Sequence, residues 1–295
     1  MSDAVAFLGL GIMGSRMAAN LPGAGHDLVV WTRTPGKADA WVAQHGGRAA
    51  ATPREAAASA GVVISMVVDG AQVTDVLLGE SGAAHGARSD TLFVDMSTIA
   101  PTDAVDIGAA LEQRGLRFID APVTGSSPKA QDGTLTIMAG GEAADVERAR
   151  PLLDVMGALV VHVGTLGQGQ TVKIINNAVA AANAATVAQA LIVASATGVD
   201  LDALVEVMGA GSGASAMLAL KAGPMRQHDY TTLFKTEHML KDVRLCLETA
   251  AAAGVPFPAA DAARDALDAA VAKGHADDDF AALLEAFEGL ADRRL

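Results

Sequence analysis

Cysteine is almost absent from this 295-residue sequence, in which Cys246 stands alone. A single cysteine excludes an internal disulfide framework and is typical of proteins that work in a reducing compartment. The N-terminus also lacks a basic segment followed by an apolar one, the pattern of a secretory signal peptide. We therefore expect a cytoplasmic protein.

Positive charge and aromatic residues are also scarce. The sequence has 21 Lys and Arg against 34 Asp and Glu, a formal net charge of −13, which argues against nucleic acid or an anionic membrane surface as a partner. Aromatic residues make up 3%, and the apolar content is mostly Ala, Val and Leu, which suits packed helices and parallel strands better than a sandwich. No spaced group of His, Cys and carboxylates resembles a metal site.

One long apolar run, Ala178–Ala196, has nearly the length of a membrane span. Asn183, Thr186 and Gln189 interrupt it, and Lys173 stands just before it, so we do not expect it to cross a membrane. The run is too apolar and too long for one small helical domain to cover. It therefore predicts a homo-oligomer, a dimer or tetramer.

The N-terminus has the order strand, glycine-rich turn, helix. Residues 5–8 predict a buried strand and residues 15–21 a helix, with GLGIMG between them. Such glycines allow a tight turn, close approach to a pyrophosphate and close packing of helix on strand, so the motif favours a dinucleotide over an empty turn. The predicted cofactor contacts in this turn are Gly9, Gly11, Ile12, Met13 and Gly14.

The second predicted strand, residues 27–31, ends without the carboxylate that NAD-selective sites place there. Arg33 and the hydroxyl of Thr34 follow it, a chemistry that suits a 2′-phosphate. We therefore expect NADP(H) to be preferred, with NAD(H) possible. The alternative is a solvated basic turn without a ligand.

Further strands predict an α/β, Rossmann-type domain with a predominantly parallel sheet. Its ligands should lie at the carboxyl ends of the strands. Val67 and Val68, at the end of one strand, are predicted cofactor contacts. The hydroxyl of Thr98 or Ser97 follows another strand, where it could instead cap a helix. Residues 142–156 predict a helix that restarts at Pro151. The predicted strands are residues 61–68, 91–95, 116–120, 134–139 and 159–163.

A loop rich in hydroxyls and glycine, Thr124–Gly125–Ser126, follows the strand that ends at Asp120. Its amides and hydroxyls could hold an anion such as a carboxylate, although a polar turn has the same composition.

The composition changes at Gly164, after which no strand is convincing. We place the boundary there and expect a dinucleotide-binding domain, residues 1–164, joined by a long helix to an all-helical substrate and dimerisation domain, residues 165–295. The helices predicted in this part are residues 168–197, 200–209, 214–222, 235–253, 258–273 and 278–291, the last capped by Asp277–Asp279.

Two polar residues share a face of the long helix, Lys173 and Asn177, spaced i, i+4. A lysine directed inward on an apolar helix is costly to bury and is usually kept for chemistry. The alternative is a lysine whose stem packs while its ammonium reaches water. Lys241–Asp242 lies on another helix and has the spacing of an ordinary surface pair.

Taken in order over nearly the whole chain, these motifs resemble the β-hydroxyacid dehydrogenase family, which includes 3-hydroxyisobutyrate dehydrogenases and tartronate and glyoxylate/succinic semialdehyde reductases. The resemblance rests on residues 9–14, 95–98, 120–125, 167–177 and 241–242.

The resemblance implies an NADP-dependent oxidoreductase that interconverts a short β-hydroxyacid and its semialdehyde. It implies that Lys173 is the catalytic general acid and base, that Asn177 contacts the substrate, and that the Thr124–Gly125–Ser126 loop holds the substrate carboxylate. It also places Thr98 by the nicotinamide and Lys241 over the cofactor.

The chain departs from the family where Thr124–Gly125–Ser126 replaces the usual Ser-Gly-Gly, which adds bulk near the substrate, and where Thr32 replaces Asn. Three alternatives remain. An imine reductase generally lacks a lysine at the position of Lys173, a 6-phosphogluconate-type decarboxylating enzyme would have a larger helical domain, and a non-catalytic NADP-binding scaffold would lose Lys173 or Asn177.

Overall fold

The structure, a computed structural model, describes residues 4–295. The chain divides into two compact units, of which the first ends at Lys173 and the second runs from Ile174 to Leu295. The division falls inside the long helix Gln168–Thr197. The boundary between the two compact units therefore lies later in the chain than Gly164, the predicted domain boundary, where the last strand ends.

A nine-stranded sheet forms the centre of the first unit, with the strand order β3-β2-β1-β4-β5-β6-β8-β7 and β9 beside β8. The first six strands of that order, from β3 to β6, run parallel to one another, and β8 runs antiparallel to β6 and β7. The predicted Rossmann-type, mainly parallel sheet is thus confirmed. The strands are β1 (Ala4–Leu8), β2 (Leu28–Trp31), β3 (Arg48–Ala49), β4 (Ala60–Ser65), β5 (Leu92–Asp95), β6 (Arg117–Asp120), β7 (Val123–Thr124), β8 (Leu135–Gly140) and β9 (Gly157–Gly164).

Helices and apolar side chains cover both faces of this sheet. Alternate residues of β1 enter different clusters: Val5 and Phe7 pack on one face, and Ala6 and Leu8 on the other. Strands that are buried on both faces have no polar alternation, which explains their continuous apolar sequence. The helices of this unit are α1 (Ile12–Gly23), α2 (Lys37–His45), α3 (Pro53–Ala57), α4 (Gly70–Leu78), α5 (Pro101–Glu112), α6 (Ser126–Gln131) and α7 (Ala143–Met156), with a 3₁₀ helix at Ala83–His85.

Two boundary predictions are wrong. The predicted strand 61–68 ends at Ser65, because β1 and β5, its partners, end in register at Leu8 and Asp95. Val67 and Val68 therefore lie in a loop, and Asp69 accepts a hydrogen bond from Gln72 N at the start of α4. Helix α7 does not restart at Pro151 but continues through it, since Pro151 is exposed and water can hydrate the carbonyl that lacks its partner.

The carboxyl ends of the central strands lie in one row. Leu8 pairs with Ser65, Ser65 with Asp95, and Asp95 with Asp120. The strand order reverses between β1 and β4, and ligands of open α/β sheets bind at such a point. The predicted cofactor contacts of the first unit all follow the carboxyl ends of parallel strands.

Among the described residues 174–295, helices predominate, with one isolated β-bridge between Lys235 and Asp279. The all-helical prediction is confirmed, and the predicted bounds of the long helix match. The helices are α8 (Gln168–Thr197), α9 (Leu201–Ala210), α10 (Ala216–Gln227), α11 (Thr236–Ala252), α12 (Pro258–Ala272) and α13 (Leu284–Ala291), with a 3₁₀ helix at Phe280–Leu283 before α13.

An ion pair lies inside this helical core. Asp279 caps the 3₁₀ helix through Ala281 N, as the acidic cluster predicts, but it also accepts 2.6 Å from Nζ of Lys221. Both side chains are buried, and the Lys221 ammonium lies 4.2 Å from the centre of the Phe280 ring. A buried charge needs such a partner, so this pair belongs to the fold of the second unit.

Candidate active site

The glycine-rich turn after β1 has the geometry that a dinucleotide requires. Gly9 has φ +106°, and a Cβ on it would lie 2.2 Å from the carbonyl oxygen of Met66. A Cβ on Gly14 would lie 2.0 Å from the carbonyl oxygen of Gly9, so the helix packs against the turn too closely for any side chain at this position. Gly11, by contrast, is exposed and faces open space, which leaves the start of α1 accessible to a ligand.

Two further predicted cofactor contacts follow β4. Val67 is half-buried and Val68 exposed, and the backbone N–H of Val67 donates 2.9 Å to Oγ of Ser97. Ser97 in turn donates 2.8 Å to Oδ1 of Asp95, which also accepts 2.7 Å from Oγ of Ser65. This buried network holds the loop after β4 against the turn after β5.

Arg33 and Thr34 are exposed directly after β2. Helix α2 follows, and Gly36 precedes it with φ 72°. Guanidinium and hydroxyl groups at this edge of the sheet match the chemistry of a 2′-phosphate. Together with the glycine turn, these residues fit a nicotinamide dinucleotide.

The stretch predicted as a hydroxyl-rich loop joins the end of β7 at Thr124 to the start of α6 at Ser126, and its backbone is unusual. Gly125 has φ +137° and Ser126 has φ 61°, and Thr124, Gly125 and Ser126 are each half-buried. Ser126 begins helix α6 in a conformation that favours glycine. Thr98, after β5, is also half-buried, between the buried residues Ser97 and Ile99.

The start of α8 is fixed to the end of β6 by Asp120. Its Oδ1 accepts 2.8 Å from Gly167 N, and its Oδ2 accepts 2.7 Å from Gln170 N. Burial raises the pKa of the Asp120 carboxyl to about 6, although these two backbone hydrogen bonds oppose that shift. Gln170 adds side-chain hydrogen bonds to the turn after β5.

Lys173 and Asn177, one turn apart on α8, are both buried, at 7% and 5% exposed. A lysine this deeply buried does not keep its ammonium in bulk water, so its stem is not simply packing beneath a solvated head.

In the second unit, Asp242 joins two of the predicted residues. Its Oδ2 accepts 2.7 Å from Nδ2 of Asn177, and its Oδ1 lies 2.9 Å from Nζ of Lys241. The Asp242 side chain is only 1% exposed, so Lys241–Asp242 is not the ordinary surface pair that the spacing favours. The buried carboxylate orients both the amide and the ammonium.

Asp120, Gln170 and Asp242 lie within the motifs that carry the family resemblance, but the sequence analysis assigns no role to them. The available signal is that Asp120 ends a buried strand and Gln170 lies in the first turn of a long apolar helix. No group of three His, Cys, Asp or Glu side chains that could hold a metal occurs within residues 4–295.

Helix α8 has the length and hydropathy of a membrane span, but half of its most apolar 18-residue window is buried inside the protein. The core helix of a soluble protein has the same properties.

Two family models together match most of the chain. Residues 4–164 match the NAD binding domain of 6-phosphogluconate dehydrogenase, and residues 167–287 match the NAD-binding domain of NADP-dependent 3-hydroxyisobutyrate dehydrogenase.

Individual relatives cover nearly the whole chain. Glyoxylate/succinic semialdehyde reductase 2 of Arabidopsis thaliana is 35% identical over 98% of this chain and 80% of its own length. The 3-sulfolactaldehyde reductase of Escherichia coli is 36% identical over 96% of this chain and 95% of its own length. A solved structure of Mycobacterium tuberculosis 3-hydroxyisobutyrate dehydrogenase with L-serine has a TM-score of 0.88 at 35% identity, over 97% of this chain and 99% of that one.

The fold and the glycine turn define a nicotinamide-dependent oxidoreductase. More particularly, the chain belongs to the β-hydroxyacid dehydrogenase family, and the enzyme class that the sequence predicts is confirmed.

Proposed function

We propose that this enzyme interconverts a short β-hydroxyacid and its semialdehyde with NADP(H), using Lys173 as general acid and base. The observation that carries the proposal is the burial of Lys173, 7% exposed, on a helix whose first turn is bonded to the end of β6 and to the turn after β5. Burying an ammonium is costly, so a buried lysine usually has a chemical role. Lys173 lies near the carboxyl ends of the strands, where the ligands of such sheets bind, and this position favours a catalytic role.

The residues that would hold the cofactor lie along that edge. The turn Gly9–Gly14 would take the pyrophosphate, Val67 and Val68 would line the nucleotide, and Thr98 would lie by the nicotinamide. Arg33 and Thr34 would take the 2′-phosphate, which favours NADP(H) over NAD(H). When bound, the cofactor supplies or accepts the hydride.

Lys173 moves the proton. In reduction, its Nζ donates a proton to the carbonyl oxygen of the substrate, and in oxidation it takes that proton back from the hydroxyl. The positive charge of the ammonium also stabilises the negative charge that develops on that oxygen. A guanidinium could supply the charge but not the proton.

The rest of the site would bind the acid group. Thr124, Gly125 and Ser126 offer hydroxyls and amides to an anion, and Asn177, whose amide Asp242 orients, would contact the substrate. Lys241, paired with the same carboxylate, would lie over the cofactor. The names of two relatives, a succinic semialdehyde reductase and a 3-sulfolactaldehyde reductase, also describe short aldehydes with an anionic group. We infer a substrate of the same class.

In this proposal, residues 1–164 bind the cofactor, and residues 165–295 serve substrate binding and dimerisation in a soluble, cytoplasmic homo-oligomer. The presence of both Lys173 and Asn177 supports this enzyme over an imine reductase or a non-catalytic NADP-binding scaffold.

A screen of short hydroxyacids and semialdehydes, each with NADPH, NADH, NADP⁺ and NAD⁺, tests the function. We expect reduction of at least one three- or four-carbon aldehyde acid, faster with NADPH, together with the reverse oxidation. Cyclic imines serve as the comparison set. Turnover of imines without turnover of any aldehyde acid would contradict the proposal.

A further inference from the structure

The side chain of Gln170 connects helix α8 to the turn after β5. It is fully buried, its Oε1 accepts 3.1 Å from Ile99 N, and its Nε2 donates 2.9 Å to the carbonyl oxygen of Ser97. The two bonded groups lie on either side of Thr98. One side-chain amide therefore fixes the backbone of this turn at both ends.

The backbone of Gln170 is also fixed. Its N–H donates 2.7 Å to Oδ2 of Asp120. The preceding residue packs closely against β8, because a Cβ on Gly169 would lie 2.4 Å from the carbonyl oxygen of Met138. Lys173 follows three residues later, less than one helical turn away. The position of Gln170 therefore sets the position of the helical segment that carries Lys173.

The turn that Gln170 holds has a second attachment, on its other side. Oγ of Ser97 accepts 2.9 Å from the N–H of Val67, in the loop after β4. The side-chain amide of Gln170 thus links the helix of Lys173 to the turn after β5 and, through Ser97, to the loop after β4. All of these residues lie within the first compact unit.

We propose that Gln170 is a positioning residue, which holds the Thr98 turn and Lys173 in the relative placement that hydride and proton transfer require. The proposal rests on the proposed function, since it assumes that Lys173 moves the proton and that Thr98 lies by the nicotinamide. A displacement of about 1 Å in such a site costs up to a factor of about 10² in rate. The competing role is structural, in which a satisfied buried amide only stabilises the fold.

The variant Gln170→Met removes both hydrogen bonds with little change in volume. Its matched control is Gln189→Met on the same helix, because Gln189 is exposed and its amide donates to Ala185 O within the helix. With an aldehyde acid from the screen, we expect Gln170→Met to lower kcat by a factor of about 10 to 10². The Kd of NADPH should stay within about twofold, because the glycine turn is untouched. Gln189→Met should match the parent.

The variant Gln170→Glu adds a measurement, the pH dependence of kcat, that a purely structural role of Gln170 would not change. A protonated carboxyl can accept from Ile99 N and donate to Ser97 O as the amide does, but an ionised carboxylate cannot donate. Burial favours the protonated form at low pH. The ratio of kcat for Gln170→Glu to kcat for the parent should therefore rise as the pH falls. The same ratio for Gln170→Met should stay flat.

Hydrogen exchange of peptides that cover residues 97–100 reports the link without turnover. Exchange should be faster in Gln170→Met, because Ile99 N–H loses its acceptor, and unchanged in Gln189→Met. If Lys173→Ala has lost activity but Gln170→Met has the kcat of the parent, the proposal for Gln170 is overturned. A pH-independent ratio of kcat for Gln170→Glu to kcat for the parent would also overturn it. Parent-like turnover in Lys173→Ala would instead overturn the proposed function.

Discussion

At the scale of single residues, Arg33 is the feature on which the proposed preference for NADP(H) rests. It is exposed where an NAD-selective site would carry an acidic side chain, and Thr34 beside it offers a hydroxyl. Both groups can bind a phosphate, and Arg33 would bind a neutral ribose hydroxyl more weakly because the opposite charge is missing.

Replacing Arg33 with Ala should therefore raise the KM for NADPH far more than the KM for NADH. A factor of about 10 or more is expected for NADPH, since a charge-assisted hydrogen bond contributes about 1.5–3 kcal/mol. Steady-state kinetics with both cofactors measure it, and Arg48→Ala, an exposed arginine paired with Asp27, is the control. Equal effects on the two cofactors, or a native preference for NADH, would contradict the assignment.

Some residue roles follow from residue type and position, and others do not. The glycine turn, Arg33 and Lys173 can be proposed as site residues from the sequence because each is unusual for its local pattern. Asp120, Gln170 and Asp242 lie within the motifs of the family resemblance, but their local pattern indicates no contact. Their partners are 47, 71 and 65 positions away along the chain, so only the folded structure reveals their contacts.

At the scale of elements, the first turn of α8 is held by a carboxyl that burial makes less acidic. The pKa of Asp120 is about 6 in the folded protein and close to 3.9 in an unfolded chain. Its folded-state pKa is raised, so its contribution to stability is greatest below pH 4 and is lost as the pH rises to about 6.

The variant Asp120→Asn should remove this pH dependence. Between pH 4 and pH 6, the parent should lose stability relative to the variant, by an amount on the order of 2 kcal/mol. Thermal unfolding of both proteins across pH 4 to 7 measures the difference, and Asp145→Asn, which breaks the half-buried pair with Arg117, is the control. Parallel curves for the parent and Asp120→Asn would show that the carboxyl does not titrate in this window.

Element boundaries were predictable where local signals decide them. Helix α8 runs from Gln168 to Thr197 as its uninterrupted helix-forming sequence predicts. The end of β4 was not predictable, because the apolar sequence continues through Val68 while the neighbouring strands stop at Leu8 and Asp95. A strand ends where its neighbouring strands stop pairing with it. The sequence of the strand alone does not show where those neighbours end.

At the scale of the whole molecule, α8 exposes a stripe of apolar side chains. Val172, Ile175, Val179 and Val193 are 38%, 45%, 45% and 61% exposed, at spacings that follow the helix period. Exposed apolar side chains in a stripe along one helix are suited to contact with a second copy of the chain.

We therefore expect light scattering at micromolar concentration to show a dimer or a larger oligomer. Val193→Lys should weaken that assembly, because it places a charge in an apolar contact, whereas Val207→Lys on α9, 70% exposed, should not. A monomeric parent protein would count against the oligomer, and so would equal effects of the two substitutions.

The central claim is that Lys173 moves the proton, and the turnover of Lys173→Ala tests it most directly. We expect kcat to fall by a factor on the order of 10² to 10⁴, with NADPH affinity little changed. Lys173→Arg should not restore activity, because a guanidinium does not release its proton, and Lys273→Ala at an exposed lysine should match the parent. A folded Lys173→Ala variant that binds NADPH and turns over a confirmed substrate at the parent rate would contradict the mechanism.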